Sequence, residues 1–212
     1  MGLSLEKDEK GLYLTDGVLK LRADFTEMEG RLKQSNLERE MLLKAVRIKG
    51  FTGKLRVLDA TAGFGEDSLL LAAAGFEVAL YEQDKVIALL LEDAIKRGNE
   101  NPRLRDCIKN MTLHNEDSIK AMNSLNRKPE VIYLDPMFPE RSKSALIKKK
   151  FQLLQRLERP CDNEEELLEA AINVHPKKIV IKRPLKGAYL AGVKPSYSLS
   201  GKAIRYDCHV FA

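Results

Sequence analysis

The chain has 212 residues, 44% of them hydrophobic and 32% charged, with a formal net charge of +5. This composition is that of one globular unit with its own core, neither disordered nor fibrous, and no stretch reaches the roughly 18 uninterrupted apolar residues of a membrane span. The opening MGLSLEKDEK is too charged for a secretory signal, and three scattered cysteines with no CxxC pair, beside three histidines at no ligand spacing, predict neither a disulfide nor a metal site in a cytoplasmic protein.

In chain order, Gly11 to Phe25 reads as a hairpin around Thr15, Asp16 and Gly17. Asn36 is then expected to cap a helix in which Leu37, Met41, Ala45 and Ile48 recur at helical spacing before Gly50. Residues 1–50 are therefore expected as a small hairpin-and-helix appendage and residues 51–212 as the main domain. There, Leu55 to Ala60 predicts a buried strand, Glu66 to Ala74 a helix closed by Gly75, Glu77 to Tyr81 a strand, and Asp84 to Arg97 a helix stopped at Gly98. Met111 to His114 predicts a strand, Ser118 to Leu125 a helix, Val131 to Leu134 a strand and Ile179 to Ile181 another, with two helices between these last two. Strands separated by helices must pair in parallel, because a parallel neighbour is reached only by a crossover, so the expected fold is a doubly wound α/β sheet. Ser196 to Leu199 and Ile204 to Phe211, flanking Gly201, predict an antiparallel C-terminal hairpin at its edge.

Charge is segregated along the chain. Seven Lys/Arg stand against one Glu between Arg141 and Arg159, five acids follow between Asp162 and Glu169, and eight bases without an acid lie between Lys177 and Tyr206. Two basic blocks suit a polyanion, though a solvated face accounts for such runs as well.

In a doubly wound sheet the ligand sits beyond the carboxyl ends of the strands, where strand order reverses. After the first main-domain strand comes LDATAGFGED, in which Gly63 and Gly65 allow a tight turn and Asp59 ends the strand. Glu82, Asp117 and Asp135 end the next three. Such a ring of carboxylates repels the pyrophosphate of a dinucleotide, whereas S-adenosylmethionine carries a sulfonium and an ammonium, has no phosphate, and offers hydroxyl and amino donors. Glu82 then suits the ribose hydroxyls and Asp117 the adenine amine. A lone G-x-G is weak by itself, and structural glycines in a strand-to-helix turn explain it equally.

Asp135-Pro136-Met137-Phe138 resembles the Asp-Pro-Pro-Tyr loop with which methyltransferases act on exocyclic amines of bases. An aryl amine is a poor nucleophile because its lone pair is delocalised. Accepting its two N–H bonds at Asp135 and the Pro136 carbonyl favours a pyramidal nitrogen, with Phe138 stacked on the flipped base. A plain Asp-Pro turn at a strand end is the bland alternative.

The segments DATAGFGEDSLLLAAAGFEV, LYEQDKVIALLLEDAIKRG, VIYLDPMFPERSKSALIKK and KKIVIKRP resemble the ribosomal RNA small subunit methyltransferase J family, with the likeness running from about Arg22 to Phe211. The resemblance implies a Rossmann-like class I S-adenosylmethionine-dependent methyltransferase fold and methylation of N2 of a guanosine in 16S rRNA, with the rRNA or the small ribosomal subunit as partner. It also implies cofactor contacts at Glu66 and Asp67, Glu82 and Gln83, Asp117 and Ser118, and Asp135. Asp67 is expected to cap the helix start, while Glu66 stands where the family pattern has arginine. Arg141, Lys143, Lys148 and Lys149, with Lys182 and Arg183 at the end of the next strand, are expected to hold RNA phosphates. Two other readings stay open at this point: an adenine-N6 methyltransferase on RNA or DNA, and a non-catalytic RNA-binding protein that kept the fold.

Overall fold

The computed structural model describes residues 2–136, Leu153 and residues 163–211. Strands β1 (Ser4–Asp8), β2 (Gly11–Thr15) and β3 (Lys20–Leu21) form a three-stranded antiparallel sheet. The predicted hairpin is its β2–β3 half. Strand β1, which pairs with β2 over five residues, carries no alternation to betray it because four of its five residues, Ser4 to Lys7, face solvent.

The single helix expected from Asn36 is two short ones, α1 (Gln34–Leu37) and α2 (Met41–Val46). Asn36 does not cap: it lies inside α1 and donates its amide to the Gly30 carbonyl at 2.8 Å. Glu40, between the helices, is extended, with ψ of 124°. Its carboxylate accepts from both Nε and Nη2 of Arg31 at 2.9 Å. A bidentate pair of this kind is among the stronger polar contacts, and it coincides with the break in helical periodicity.

The main sheet then follows as β4 (Arg56–Asp59), α3 (Glu66–Ala73), β5 (Glu77–Tyr81), α4 (Lys85–Glu100), α5 (Arg105–Ile108), β6 (Met111–His114), α6 (Ser118–Met122), β7 (Val131–Leu134), α7 (Glu164–Asn173), β8 (Lys178–Pro184), β9 (Tyr197–Ser200) and β10 (Ile204–Val210). Its strand order is β6-β5-β4-β7-β8-β10-β9. The first five are parallel, and β10 runs antiparallel to both β8 and β9. This is the doubly wound sheet with its C-terminal hairpin. Of the two helices expected between β7 and β8, α7 is described and the other falls outside the described residues.

Gly98 does not stop its helix. Helix α4 starts at Asp84, whose carboxylate accepts from the amides of Val86 and Ile87, and it continues to Glu100. Gly98 serves packing: a Cβ there would stand 3.0 Å from Cδ1 of Ile108 and 3.4 Å from the Phe25 ring. The chain leaves the helix just ahead of Pro102, which has no N–H to continue it.

Burial on both faces makes the central strands continuous apolar runs, as in β7, where all four residues are buried. One core face joins α2, α3 and α4 to Leu14, Leu21, Phe25, Met28 and Leu37 of the N-terminal segment; the other holds Leu167, Leu168 and Ala171 of α7 against Ile132 and Ile179. Each fully buried Leu, Ile or Phe is worth about 1.5–3 kcal/mol.

Candidate functional site

Strand order reverses between β4 and β7, whose carboxyl ends lie side by side with Asp59 in register with Tyr133. The loop from β4 into α3 is tied to both neighbours. The Ala60 amide donates to the Tyr133 carbonyl at 3.0 Å, and the Ala62 amide to the Tyr81 carbonyl at 3.1 Å. Gly63 and Gly65 have φ of 54° and 72°, the left-handed region that disfavours other residues. A Cβ at Gly65 would meet Cδ1 of Leu91 at 2.7 Å, whereas one at Gly63 would meet nothing within 4 Å. Packing explains Gly65, while Gly63 leaves open space at the loop surface.

Glu82 accepts from the Gly63 amide at 3.0 Å and from the Asp84 amide at 2.8 Å, so the tip of β5 holds the glycine loop in place. Burial lifts its carboxyl above the usual range despite those bonds. Asp59 is 1% exposed and accepts from Ser68 Oγ at 2.6 Å and the Thr61 amide at 3.1 Å. Burial pushes its carboxyl up to about 7, helped by the charges of Asp67 and Asp135 and opposed by Ser68 and Thr61. In the structure Asp59 braces the loop.

Asp117 caps α6 by accepting from the Ile119 amide at 2.9 Å, next to Ser118, the first residue of that helix. It joins the site through the turn between β6 and α6, where the Glu116 amide donates to the Glu82 carbonyl at 3.1 Å. Gln83 and Glu66 are exposed at the same edge, and Glu66 begins α3.

Asp67 does not cap its helix. Gly65 holds the cap position without a side-chain bond, and the Asp67 carboxylate turns inward to accept from the Tyr133 hydroxyl at 2.6 Å and from Lys182 Nζ at 2.7 Å. Burial raises its carboxyl, but Lys182 and Tyr133 outweigh this and hold it below the usual value. Asp135 follows β7, and its amide donates to Thr61 Oγ1 at 2.6 Å. Thr61, where the nucleotide-fold loop often has glycine, thus joins the glycine loop to the Asp-Pro turn. Pro136 is buried beside it. Phe138, Arg141, Lys143, Lys148 and Lys149 lie outside the described residues.

Two residues expected to hold RNA phosphates do something else. Lys182 pairs with Asp67 and with Asp135, the latter at 2.8 Å. Arg183 is 3% exposed and donates to the Ala188 carbonyl and to Glu164. Lys178 and Arg205 of the same basic block are buried too, Lys178 on the carbonyls of Ala45 and Arg47, and Arg205 on Asp207 and the carbonyls of Pro184, Leu185 and Gly187. Among the described residues of the block, Lys177, Lys186, Lys194 and Lys202 are the exposed bases.

The residues fit S-adenosylmethionine. Carboxylates gathered at the strand ends disfavour a phosphate-bearing ligand and favour a cation. Open space at Gly63 and the carboxylates of Glu82 and Asp117 provide room and acceptors. Sequence reasoning missed Tyr133 and Arg31, which surround the same cluster with Tyr206 and Glu40: Asp67 and Asp135 act on both tyrosines, and Asp67 acts on Arg31. Buried tyrosines in apolar strands look like core, and nothing local marks Arg31.

Comparison with known proteins agrees with this geometry. A family model described as "Putative SAM-dependent methyltransferase" matches residues 2–211. The chain is 41% identical over 194 residues to a ribosomal RNA small subunit methyltransferase J of Nitrosococcus oceani, covering 90% of this chain and 76% of that relative. It is 36% identical over 211 residues to the protein of the same name in Neisseria gonorrhoeae, covering 98% and 83%. The crystal structure of a SAM-dependent methyltransferase from Neisseria gonorrhoeae superposes with a TM-score of 0.80 at 32% identity, covering 99% of this chain and 83% of that one.

Proposed function

This chain belongs to the ribosomal RNA small subunit methyltransferase J family, and from that premise we propose that it methylates the exocyclic N2 amine of a guanosine in 16S rRNA, in the cytoplasm, with the rRNA or the small ribosomal subunit as substrate. The observation that carries the proposal is the hydrogen bond from the Asp135 amide to Thr61 Oγ1, which fastens the amine-binding turn to the glycine loop at the point of strand reversal.

When bound, S-adenosylmethionine supplies an electrophilic methyl group on a sulfonium. The chain's own part is binding and alignment. Glu82, Asp117 and the open loop at Gly63 hold the donor, with Gln83, Ser118 and Glu66 along the same edge. Asp135 and the Pro136 carbonyl accept the two N–H bonds of the amine and aim its lone pair, and Phe138 stacks on the extruded base. Pro136 limits reorientation of the turn by fixing φ. Arg141, Lys143, Lys148 and Lys149 are the bases proposed for phosphate contact, while Lys182 and Arg183 are engaged by internal carboxylates.

The test is transfer of tritiated methyl from S-adenosylmethionine to small-subunit RNA or subunits from cells lacking the gene, followed by nucleoside analysis. Label in N2-methylguanosine is expected, and Asp135→Ala should cut kcat at least about a hundredfold while RNA affinity changes little, as for loss of a group acting in the transition state. Label in N6-methyladenosine would overturn the base assignment, and full activity in Asp135→Ala the role of Asp135.

A further inference from the structure

Lys182 is an odd residue to find at the tip of a central strand. In the β7–β8 register Leu134 faces Ile181, so Asp135 and Lys182 come next to each other one step further on. The lysine side chain is 25% exposed, and its Nζ lies 2.7 Å from Asp67 Oδ2 and 2.8 Å from Asp135 Oδ2. Asp67 is itself anchored by the Tyr133 hydroxyl at 2.6 Å. The ammonium therefore bridges the first turn of α3, behind the glycine loop, and the turn that holds Asp135.

Taking an ammonium out of water is costly unless carboxylates compensate it. Burial works against the charged form of Lys182, and the two carboxylates outweigh it, so the ammonium is held charged. The reciprocal effect matters more. Among the described residues, the charged and titratable groups around Asp135 are Asp59 of β4, Asp67 of α3, Tyr133 of β7, Lys182 and Arg183 of β8, and Tyr206 of β10. Removing Lys182 takes away the ammonium that bridges the Asp67 and Asp135 carboxylates and leaves their mutual repulsion less compensated, which favours protonation or rotation of one of them. A protonated Asp135 loses acceptor strength for an amine.

We infer that Lys182 is a positioning residue for methyl transfer: anchored on Asp67, it grips Oδ2 of Asp135 and so keeps that carboxylate charged and correctly turned toward the incoming amine. The inference rests on the role given to Asp135 above. Lys182 acts through Asp135, as its charge partner.

The experiment is the pH profile of kcat between pH 5 and 9 at saturating RNA and S-adenosylmethionine, for the wild type, Lys182→Met, Lys182→Arg and Asp67→Asn, with S-adenosylhomocysteine affinity measured by calorimetry. Lys182→Met is expected to lower kcat about tenfold at pH 7 and to move the acid limb up by about one to three pH units, the usual effect of removing an adjacent opposite charge. Lys182→Arg should restore most of both. Asp67→Asn, which leaves the Lys182–Asp135 bond in place, should keep the acid limb of the wild type. S-adenosylhomocysteine should bind the wild type and both Lys182 variants within about threefold. Where Lys182→Met does not fold, Lys182→Gln, with an N–H donor and no charge, gives the same readout. A Lys182→Met profile of wild-type shape, whether reduced in amplitude or not, overturns the inference and leaves the methyltransferase reading intact. A wild type that transfers no methyl to RNA overturns both.

Discussion

Asp59 shows what one residue contributes once its surroundings are fixed. Its position after an apolar run marks it as a strand-end carboxylate, but the sequence could not say that both its oxygens turn back onto Ser68 and Thr61. Because burial raises its carboxyl to about 7, the folded protein keeps that proton at a pH where the unfolded chain, near the ordinary value of 3.8, has released it. The folded state binds more protons between those limits, so this group's share of stability falls as pH rises from about 4 to about 7 and is flat above, by roughly 1.4 kcal/mol per pH unit at the steepest. Asp59→Asn removes the slope. In urea unfolding at pH 5, 6, 7 and 8, the stability of the wild type relative to Asp59→Asn should decline up to pH 7 and then level off; a constant difference would refute the assignment. Lys182 teaches the complementary point. Its charge was plain from sequence, but a charge does not name its partner, and the structure pairs this base with two carboxylates.

At the scale of elements, local signals held where one force dominated and failed where tertiary contacts competed. The β4–α3–β5 unit was readable because buried strands and a glycine turn leave strong periodic marks. The helix expected from Asn36 to Ile48 was interrupted where Glu40 meets Arg31, nine residues back along the chain. Gly98 looked like a stop and proved to be a contact with Ile108. Helix α4 also fastens the N-terminal sheet: Asp93 Oδ2 accepts from the Leu12 amide at 3.1 Å and from Arg97 Nε at 2.7 Å, and Arg97 donates to the Ala23 carbonyl at 2.5 Å. Asp93→Ala leaves the Leu12 amide and the Arg97 guanidinium without this acceptor. It should cost about 1–3 kcal/mol and speed hydrogen exchange in β2 by a comparable factor, with S-adenosylhomocysteine affinity unchanged. Unaltered β2 protection would mean that the sheet is held by its apolar face alone.

For the whole molecule, the division at residue 50 concerns cooperativity. Leu14, Leu21, Phe25, Met28 and Leu37 are packed into the same core cluster as Leu70, Leu91 and Val57. The Phe25 ring lies 3.4 Å from where a Cβ on Gly65 would be, directly beneath the glycine loop. The full chain should therefore melt in one transition with matching calorimetric and van't Hoff enthalpies, and a fragment starting at residue 51 should lack a cooperative melt because it exposes that face of α3 and α4. A folded fragment that binds S-adenosylhomocysteine as well as the full chain would show that the first 50 residues are dispensable for the donor site. No helix among the described residues is long and apolar enough to cross a membrane.

The amino-acid sequence by itself determined the alternation of strands and helices, the parallel sheet that follows from it, and the carboxylates and glycines at the strand ends, since period, turn chemistry and charge are written locally. Only the tertiary structure decided which charges meet. Lys182 between Asp67 and Asp135, Arg183 on Glu164 and Arg31 on Glu40 join residues from 9 to 115 positions apart. Such pairings are fixed by strand register and desolvation, which depend on the assembled core rather than on any neighbour in the chain.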